Sequence, residues 1–407
     1  MLISNQLITA LAKATLLFTC FTYNLSRAES PNFERKPSQI VSGEPVWESN
    51  PGPWGDLDIR SIYLEAPDYL LAGLKIPNTT TAWHFPRADE SILTALFERA
   101  GLSKEMQARL LNKQRMLVQD EVLTLFPEPE LIESMTQVER SVIYSELAKS
   151  PLNNIYKCPA YIIGGNPDDW VRESHLTKEQ KDIVKKLIWK DGDLLAFSDL
   201  SILLSTAQSD ADVMKILKFM TRTRTLVVDL KLPLGTDWQP LAHYWTGEGR
   251  FKNNLPVLES TAERESMSAI DITLLLPPVA RKNLYTFPSL DLAAEGRLPD
   301  CQWTALNFFN TTPRDYFLDA RLTKSRLQEA YDPVDPPYQY GDILEFITAE
   351  GNAIHACVYI ADDIVYTKNG DGMIKPWLLM WLSSVEKLYA REPGTKIVAR
   401  RLKHGGQ

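Results

Sequence analysis

The stretch PDCQWTALNFF, residues 299–309, decides the fold of the C-terminal part of the chain. A Pro-Asp pair precedes Cys301, and an apolar pattern of helical period begins directly after it, which predicts a helix that starts at Cys301. Unpaired backbone N–H groups at a helix N-terminus favour the thiolate, and the amide of the cysteine itself can help bind an oxyanion. Cys301 is therefore a candidate nucleophile.

Strand patterns follow this predicted helix. The segment YGDILEF, residues 340–346, indicates a turn and a strand, and NAIHACVYIA, residues 352–361, indicates a second strand with His355 near its start. A third short strand is predicted at residues 363–367. An imidazole carried by such an antiparallel meander can face the preceding helix and take the proton of a thiol. His355 is therefore the candidate base.

The combination resembles the NlpC/P60 family of papain-like hydrolases over roughly residues 281–404. The shared features are a cysteine at a helix start, a Gly-Asp pair before an apolar strand, and a His-x-x-apolar-Tyr-apolar strand before a tight turn. The cysteine precedes the histidine, whereas relatives that resemble lecithin:retinol acyltransferase have the opposite order. Gln302-Trp303 stands where the family commonly has Ser-Gly, so the family's glycan and peptide specificity does not transfer. The resemblance implies an α+β fold, with a nucleophile helix packed on an antiparallel sheet over residues 281–407.

The resemblance also implies two further site residues. A polar group that orients the imidazole is expected about twelve residues after the histidine, where the chain has Thr367, Lys368 and Asn369. Asn369 is preferred because its amide oxygen can accept from the ring, although Asn369-Gly370 also fits a turn. Tyr285 lies near the position of a family tyrosine that helps line the oxyanion site, and it also fits a packed core.

The N-terminus predicts export. Residues 1–28 combine Lys13, an apolar-leaning run and small residues at 26–28, which is typical of a cleaved secretory signal and implies a secreted or periplasmic protein. A membrane anchor, a buried helix and a lipoprotein cysteine at Cys20 are the alternatives, but the run is too short to span roughly 30 Å of hydrocarbon. Cleavage would leave an odd number of cysteines and hence an unpaired thiol, while Cys158 and Cys357 either pair or stay free.

The pattern changes several times between the signal and the C-terminal module. Proline-rich residues 29–82 predict an extended lead-in, in which residues 59–74 fit a helix or strand that packs on a domain surface. Residues 83–222 have helical periodicity and predict a helical domain, and residues 223–280 predict a connecting region with strands. In more detail, helices are predicted at 129–149, 177–189, 193–205 and around 377–389, and strands at 225–232 and 270–276.

Charge and motif content exclude several function classes. The net charge of −8 becomes more negative when Lys13 and Arg27 are removed, and no basic block offers a footprint for nucleic acid. No phosphate-binding glycine loop is present, so no cofactor is predicted. No metal is predicted either, because the remaining histidines lack the spacing of ligands; they are His84, His175, His243 and His404. Asp342 and Glu345 are expected to be solvated at strand ends.

These observations predict a secreted cysteine hydrolase that cleaves an amide bond in cell-wall peptide or another peptide-like substrate. One alternative is a non-catalytic extracytoplasmic binding protein on a degenerate papain-like scaffold, whose helical domain recognises a partner. An unperturbed thiol pKa of about 8.5 would favour that alternative. Another is a lipid or ester acyl hydrolase or acyltransferase, because the same Cys-His pair serves any acyl transfer.

Overall fold

The structure is a computed structural model that describes residues 36–41, 44–73, 76, 79–250, 254–265 and 268–403. The predicted export signal at residues 1–28 and the histidine His404 lie outside these ranges. The chain divides into two compact units: the first comprises Glu65–Thr223, and the second combines the described residues before Glu65 with those from Arg224 onward. Helices and strands are both abundant, so the fold class is α+β.

The described strands, in chain order, are β1 (Gln39–Val41), β2 (Glu44–Glu48), β3 (Leu57–Leu64), β4 (Trp83–Pro86), β5 (Met116–Gln119), β6 (Val122–Leu125), β7 (Ala160–Ile162), β8 (Trp189–Asp191), β9 (Leu194–Phe197), β10 (Thr223–Lys231), β11 (Ala269–Asp271), β12 (Tyr331–Val334), β13 (Ile343–Ile347), β14 (Ala353–Ala361), β15 (Ile364–Lys368), β16 (Trp377–Trp381) and β17 (Lys396–Leu402). The described α-helices are α1 (Asp68–Leu71), α2 (Glu90–Ala100), α3 (Lys104–Leu110), α4 (Pro129–Ser134), α5 (Gln137–Leu147), α6 (Asn154–Lys157), α7 (Pro167–Arg172), α8 (Lys178–Leu187), α9 (Leu200–Ser205), α10 (Asp210–Met220), α11 (Gln239–Trp245), α12 (Leu255–Ala262), α13 (Pro278–Asn283), α14 (Leu290–Ala294), α15 (Cys301–Leu306), α16 (Ala320–Ala330) and α17 (Leu382–Tyr389). Short 3-10 helices lie at Lys113–Arg115, Pro151–Asn153, Ile272–Leu275 and Asp315–Leu318.

The first unit consists of two modules with the same order of elements. In each module a strand is followed by two helices and a β-hairpin, and the last strand of the hairpin pairs with the first strand. The resulting sheets have the orders β4-β6-β5 and β7-β9-β8. Both hairpins turn through positive φ, at Asp120 and Glu121 in one and at Gly192 in the other. Helices α4, α5 and α6 follow the first hairpin, and α9 and α10 follow the second. The shared order from the first strand to the hairpin indicates an internal structural duplication.

The second unit contains two sheets. One has the strand order β1-β2-β3-β10-β11, and the other has the order β12-β17-β13-β14-β15-β16. Every neighbouring pair in the six-stranded sheet is antiparallel. The chain therefore forms the predicted meander at β13, β14 and β15, and the C-terminal strand β17 inserts beside β13.

The two sheets of the second unit share one hydrophobic core. Buried residues of the five-stranded sheet, such as Ile59 and Val228, belong to the same cluster as Val358 and Leu379 of the six-stranded sheet. The hydroxyl of Thr225 donates to the carbonyl of Leu379 at 3.0 Å and accepts from its N–H at 3.1 Å. This side chain satisfies backbone groups that the sheet edge would otherwise leave unpaired in a buried place.

The domain boundaries expected from the sequence differ from these units. The stretch predicted as a lead-in, residues 29–82, contributes β1, β2 and β3 to the second unit, and the connecting region 223–280 contributes β10 and β11 to the same core. No separate body begins at residue 281 within the described residues. Short strands with many prolines carry a weak local signal, and their partners lie far away in sequence.

Several predicted elements also differ. The helix expected at residues 193–205 is strand β9 followed by helix α9, and the strand expected at 270–276 is β11 followed by a 3-10 helix. The helix expected around 377–389 is strand β16 followed by α17. A short apolar run that is buried on both sides has no periodicity that separates helix from strand. The helical domain accordingly also contains two three-stranded sheets.

In the described part of the chain, no helix is both long enough and apolar enough to cross a membrane.

Candidate active site

Helix α15 begins at Cys301, the position that the sequence pattern predicts. Asp300 is the N-cap: its backbone is extended, and its side chain accepts a hydrogen bond from the N–H of Trp303 at 2.7 Å. The hydroxyl of Thr304 donates to the carbonyl of Asp300 at 2.6 Å. These bonds satisfy the first turn and fix the direction in which Cys301 leaves the helix.

Helix α15 is held against the six-stranded sheet by aromatic and polar contacts. The indole N–H of Trp377 on β16 donates to the hydroxyl of Thr304 at 3.0 Å. The ring of Trp377 lies 6.3 Å from that of Trp303, and the ring of Phe308 lies 5.7 Å from that of Tyr366 on β15. The nucleophile helix is thus fixed by buried contacts to two strands.

The thiol of Cys301 meets the start of β14. It is a free thiol, and the backbone N–H of Ala356, the residue after His355, is one of the groups that act to lower its pKa. Burial raises the pKa of Cys301 to about 12, and the neighbouring Asp300 carboxyl adds to that rise. The N–H groups of Ala356, Gln302 and Cys301 itself oppose the rise only in part. The resting cysteine is therefore a neutral thiol at neutral pH.

The imidazole of His355 is buried and held on two sides. Its Nε2 lies 2.9 Å from the hydroxyl oxygen of Thr367 on the neighbouring strand β15. Its ring stacks on that of Tyr389 with centroids 3.8 Å apart, and the ring of Phe346 lies 5.8 Å away. Burial lowers the pKa of His355 to about 3, so the resting imidazole is neutral.

The imidazole, Thr367 and Asn369 form a chain of polar contacts. The Nε2 of His355 lies 2.9 Å from the hydroxyl oxygen of Thr367, and Oδ1 of Asn369 lies 3.4 Å from that same oxygen. The hydroxyl has one proton to give to either neighbour, so these contacts hold the ring in place without selecting one tautomer.

The structure does not bring the thiol of Cys301 and the imidazole of His355 into hydrogen-bonding contact. Ala356 and Val358 of β14 pack in the core that contains helix α15, and His355 alternates with them along the strand and contacts Tyr389. Across the described ranges, no hydrogen bond joins the sulfur of Cys301 to the ring.

Asn369 and Tyr285 do not take the roles preferred for them. The partner of the imidazole is Thr367. Asn369 contacts the hydroxyl of Thr367 instead of the ring, and its amide N–H donates to the sulfur of Met380 at 3.1 Å. The twelve-residue spacing itself indicated Thr367. The hydroxyl of Tyr285 donates to the carbonyl of Leu226 on β10 at 2.7 Å, so it is not free to bind an oxyanion.

Lys368 is the third of the candidates next to Thr367, and it lies on the thiol side of the site. Its side chain is fully buried, its Nζ donates to the carbonyls of Gly370 at 2.7 Å and Gly372 at 3.2 Å, and it lies 5.6 Å from the centre of the Trp377 ring. Burial lowers the pKa of Lys368 to about 7. The carboxyl groups of Asp371 and Asp300 act in the opposite direction. Alternate side chains of a strand share a face, so Lys368 is expected on the same face of β15 as Tyr366, whose ring lies near Phe308.

The second thiol of the module is inaccessible. Cys357 is a free cysteine, so it does not pair with Cys158, and it is buried within β14. Burial raises the pKa of Cys357 well above its ordinary value. A mid-strand neutral thiol without solvent access does not compete with Cys301 as a nucleophile.

Comparisons with models of protein families, with curated proteins and with solved structures found no match. Among the side chains that the structure describes, no three histidine, cysteine, aspartate or glutamate groups come together in the way that a metal ion requires.

Proposed function

We propose that the second unit is a cysteine hydrolase with a papain-like arrangement resembling the NlpC/P60 family, in which Cys301 is the nucleophile and His355 the base. The observation that carries the proposal is that Cys301 begins helix α15, which packs on β14, the strand that carries His355. The Nε2 of His355 contacts the hydroxyl of Thr367, a polar group at the spacing that the family resemblance implies for the residue that orients the imidazole.

The proposed reaction starts from neutral groups. As the sulfur attacks the carbonyl carbon of an amide, the neutral imidazole of His355 takes the thiol proton, and the carbonyl oxygen becomes an oxyanion close to the backbone N–H of Cys301. The C–N bond then breaks, and the departing amine receives the proton from the imidazolium. Water attacks the resulting thioester with His355 again accepting a proton, which releases a carboxylic acid and restores the thiol.

The proposed substrate is a peptide-like amide. It would lie outside the cytoplasm, because residues 1–28 are proposed to direct export. The chemistry of the pair also serves esters and thioesters, so an acyl hydrolase or acyltransferase on lipids is the alternative within the same mechanism. An amide demands more of the site than an activated ester, because the amine leaves only when it is protonated. Substrates of both kinds therefore belong in the test.

A non-catalytic binding protein is the second candidate, and one observation favours it. The pKa of Cys301 is raised to about 12 and that of His355 is lowered to about 3, as expected for buried structural groups. Reactive cysteines have lowered pKa values as a rule. In this alternative the module is a degenerate scaffold, and the duplicated first unit provides the recognition surface.

The test is acylation of the full chain by p-nitrophenyl acetate, followed by mass mapping of the acylated residue, in parallel with amide cleavage of peptidoglycan fragments. Cys301→Ala and His355→Ala are the test variants, and Cys357→Ala is the matched control because it removes the other free thiol. The proposal expects acylation of the native protein and of the control at Cys301, and none in Cys301→Ala. Equal acylation of Cys301→Ala contradicts it. An unacylated native protein whose Cys301 still reacts with iodoacetamide supports the binding protein.

A further inference from the structure

The two modules of the first unit differ at one edge of their sheets. In the second module, strand β8 is an edge strand, and helix α5 packs against it. Trp189 of β8 is fully buried there, and its ring lies 5.5 Å from that of Tyr144 on α5. The outward N–H of Lys190 donates to the hydroxyl of Ser141, also on α5, at 2.9 Å. A helix of the same chain therefore covers this edge.

Strand β5 has the equivalent position in the first module, and it is exposed. Both hairpins have two-residue turns, so counting back from the turn aligns Leu117 with Trp189 and Val118 with Lys190. Leu117 is 49% exposed and Val118 is 67% exposed. The register with β6 directs the N–H and the carbonyl of Val118 away from the hairpin, as for Lys190. Across the described residues, no hydrogen bond joins these two groups to another element.

Strand β5 also lacks the features that usually keep a sheet edge from pairing. Such edges are protected by charged side chains, by proline or by a covering element, but β5 consists of Met-Leu-Val-Gln. Phe85 and Leu123 are buried directly opposite each other in the sheet, and Val118 continues their row to the edge. A strand added at this edge would therefore bury Val118 and pair the outward backbone groups.

The charges around β5 indicate which strand would pair with it. Lys113 and Arg115 precede β5, and Asp120 and Glu121 follow it, so the segment is basic at one end and acidic at the other. All four residues are exposed, although each basic side chain has one acidic neighbour in its own chain. When two such segments pair antiparallel, each basic end lies beside the acidic end of the other. The segment is therefore complementary to itself.

We propose that β5 is an interaction surface for a second copy of this chain, whose own β5 pairs with it antiparallel about a twofold axis. The two three-stranded sheets would become one sheet of six strands. In the register centred on Leu117, Leu117 faces Leu117 of the second copy, and Met116 faces Val118, so apolar side chains meet on both faces. A strand of four residues buries little area, so the dimer is weak, with a dissociation constant between micromolar and millimolar.

The first experiment is sedimentation equilibrium of the full chain from micromolar to millimolar concentration. Val118→Lys gives β5 the residue that β8 has at the equivalent position, so the fold should tolerate it, and thermal unfolding checks this. We expect the native chain to approach the mass of a dimer and Val118→Lys to weaken association by about tenfold or more. Val138→Lys is the matched control, because Val138 is 69% exposed but lies on α5, and its association should equal that of the native chain.

The second experiment tests the register. Directly opposed residues that are not hydrogen-bonded in an antiparallel pair have Cα atoms about 4.5 Å apart, which is within the range of a disulfide. Leu117→Cys should therefore form a disulfide with its own counterpart under mild oxidation, and Val138→Cys should not. Mass mapping of the linked peptides separates this bond from any at Cys301.

A native chain that stays monomeric at millimolar concentration overturns the inference. So does a dimer that Val118→Lys leaves intact and that Leu117→Cys does not cross-link. If Val118→Lys does not fold, the Leu117→Cys cross-link decides. Hydrogen exchange of the β5 amides adds a further outcome, because protection in a monomer would mean that another part of the same chain covers this edge, which also contradicts the inference.

Discussion

The rings of His355 and Tyr389 lie face to face, with centroids 3.8 Å apart and planes inclined by only 2°. Tyr389 ends helix α17, so this helix closes one side of the imidazole. Burial is the cause of the low pKa of His355, about 3. The Tyr389 ring is one of the groups that bury the candidate base.

Replacing Tyr389 with alanine should raise the pKa of His355 towards the value of about 6.5 of a solvated histidine, because water then reaches one face of the ring. The measurement is a titration of the ring protons by NMR in histidine-labelled protein. Tyr389→Phe is the control, since it keeps the stacking and should leave the pKa low. A His355 pKa that stays near 3 in Tyr389→Ala would assign the shift to the rest of the pocket.

Replacing Thr367 with valine removes the hydroxyl that is hydrogen-bonded to Nε2 of His355 without changing the shape of the side chain. The buried ring nitrogen is then unpaired, which costs about 1–3 kcal/mol of stability, and the imidazole loses the group that orients it. If the proposed function holds, kcat should fall by about tenfold or more. Thr367→Ser keeps the hydroxyl and should retain most of the activity. Equal loss in both variants would point to packing instead.

The identity of this partner shows where sequence reasoning reaches its limit in the site. The start of α15 and the three strands of the meander follow from local patterns, because caps, turns and alternation are encoded within a few residues. The twelve-residue spacing after His355 reaches Thr367, but the weaker orienting power of a hydroxyl favoured Asn369. The register of β14 and β15, which shifts between Tyr359 and Ala361, decides which of these side chains meets the imidazole, and local sequence does not encode that register.

The same limit applies to charged residues of the sheet. Asp342 and Glu345 were expected in solvent, but both are buried. Arg401 contacts Asp342 with both carboxylate oxygens, at 2.8 and 2.7 Å, and Arg400 pairs with Glu345. Their partners stand on β17, the last strand of the chain, and no local pattern indicates that this strand inserts beside β13. The duplication of the first unit was likewise missed, because the modules share an order of elements rather than an evident motif.

Gly341 precedes β13 with φ at 90°, and the ring of Phe309 occupies the space next to its Cα atom. A Cβ atom built there would lie 2.0 Å from the Phe309 ring, so alanine meets both an unfavourable backbone conformation and a steric clash. We expect Gly341→Ala to lower the free energy of unfolding by roughly 2–4 kcal/mol. Gly351→Ala is the matched control, because Gly351 also has positive φ but has nothing within 4 Å of that position. Urea unfolding should give it the smaller loss, about 1 kcal/mol. Equal losses would show that the ring moves aside.

Asp199 in the first unit predicts an unusual dependence of stability on pH. Its side chain is fully buried, and its Oδ1 accepts a hydrogen bond from the hydroxyl of Tyr144 at 2.8 Å. Within the described residues its Oδ2 has no hydrogen-bond partner. Burial raises the pKa of Asp199 to about 7, although the bond from Tyr144 and the charge of Arg140 act against the rise.

The folded pKa lies above the unfolded value of about 3.9, so folding favours the protonated acid. The first unit should therefore lose stability as pH rises from about 4 to about 7, and Asp199→Asn should remove this loss because an amide does not ionise. We expect the variant to be more stable than the native protein at pH 8 by on the order of 2–4 kcal/mol, with a much smaller difference at pH 4.5.

Urea unfolding monitored by hydrogen exchange of the α5 segment measures the first unit alone. Asp193→Asn, on the exposed turn of the β8–β9 hairpin, is the control for a surface charge. Equal stabilities of Asp199→Asn and the native protein at pH 8 would contradict this prediction. They would mean that water enters the unit and solvates the ionised Asp199 side chain.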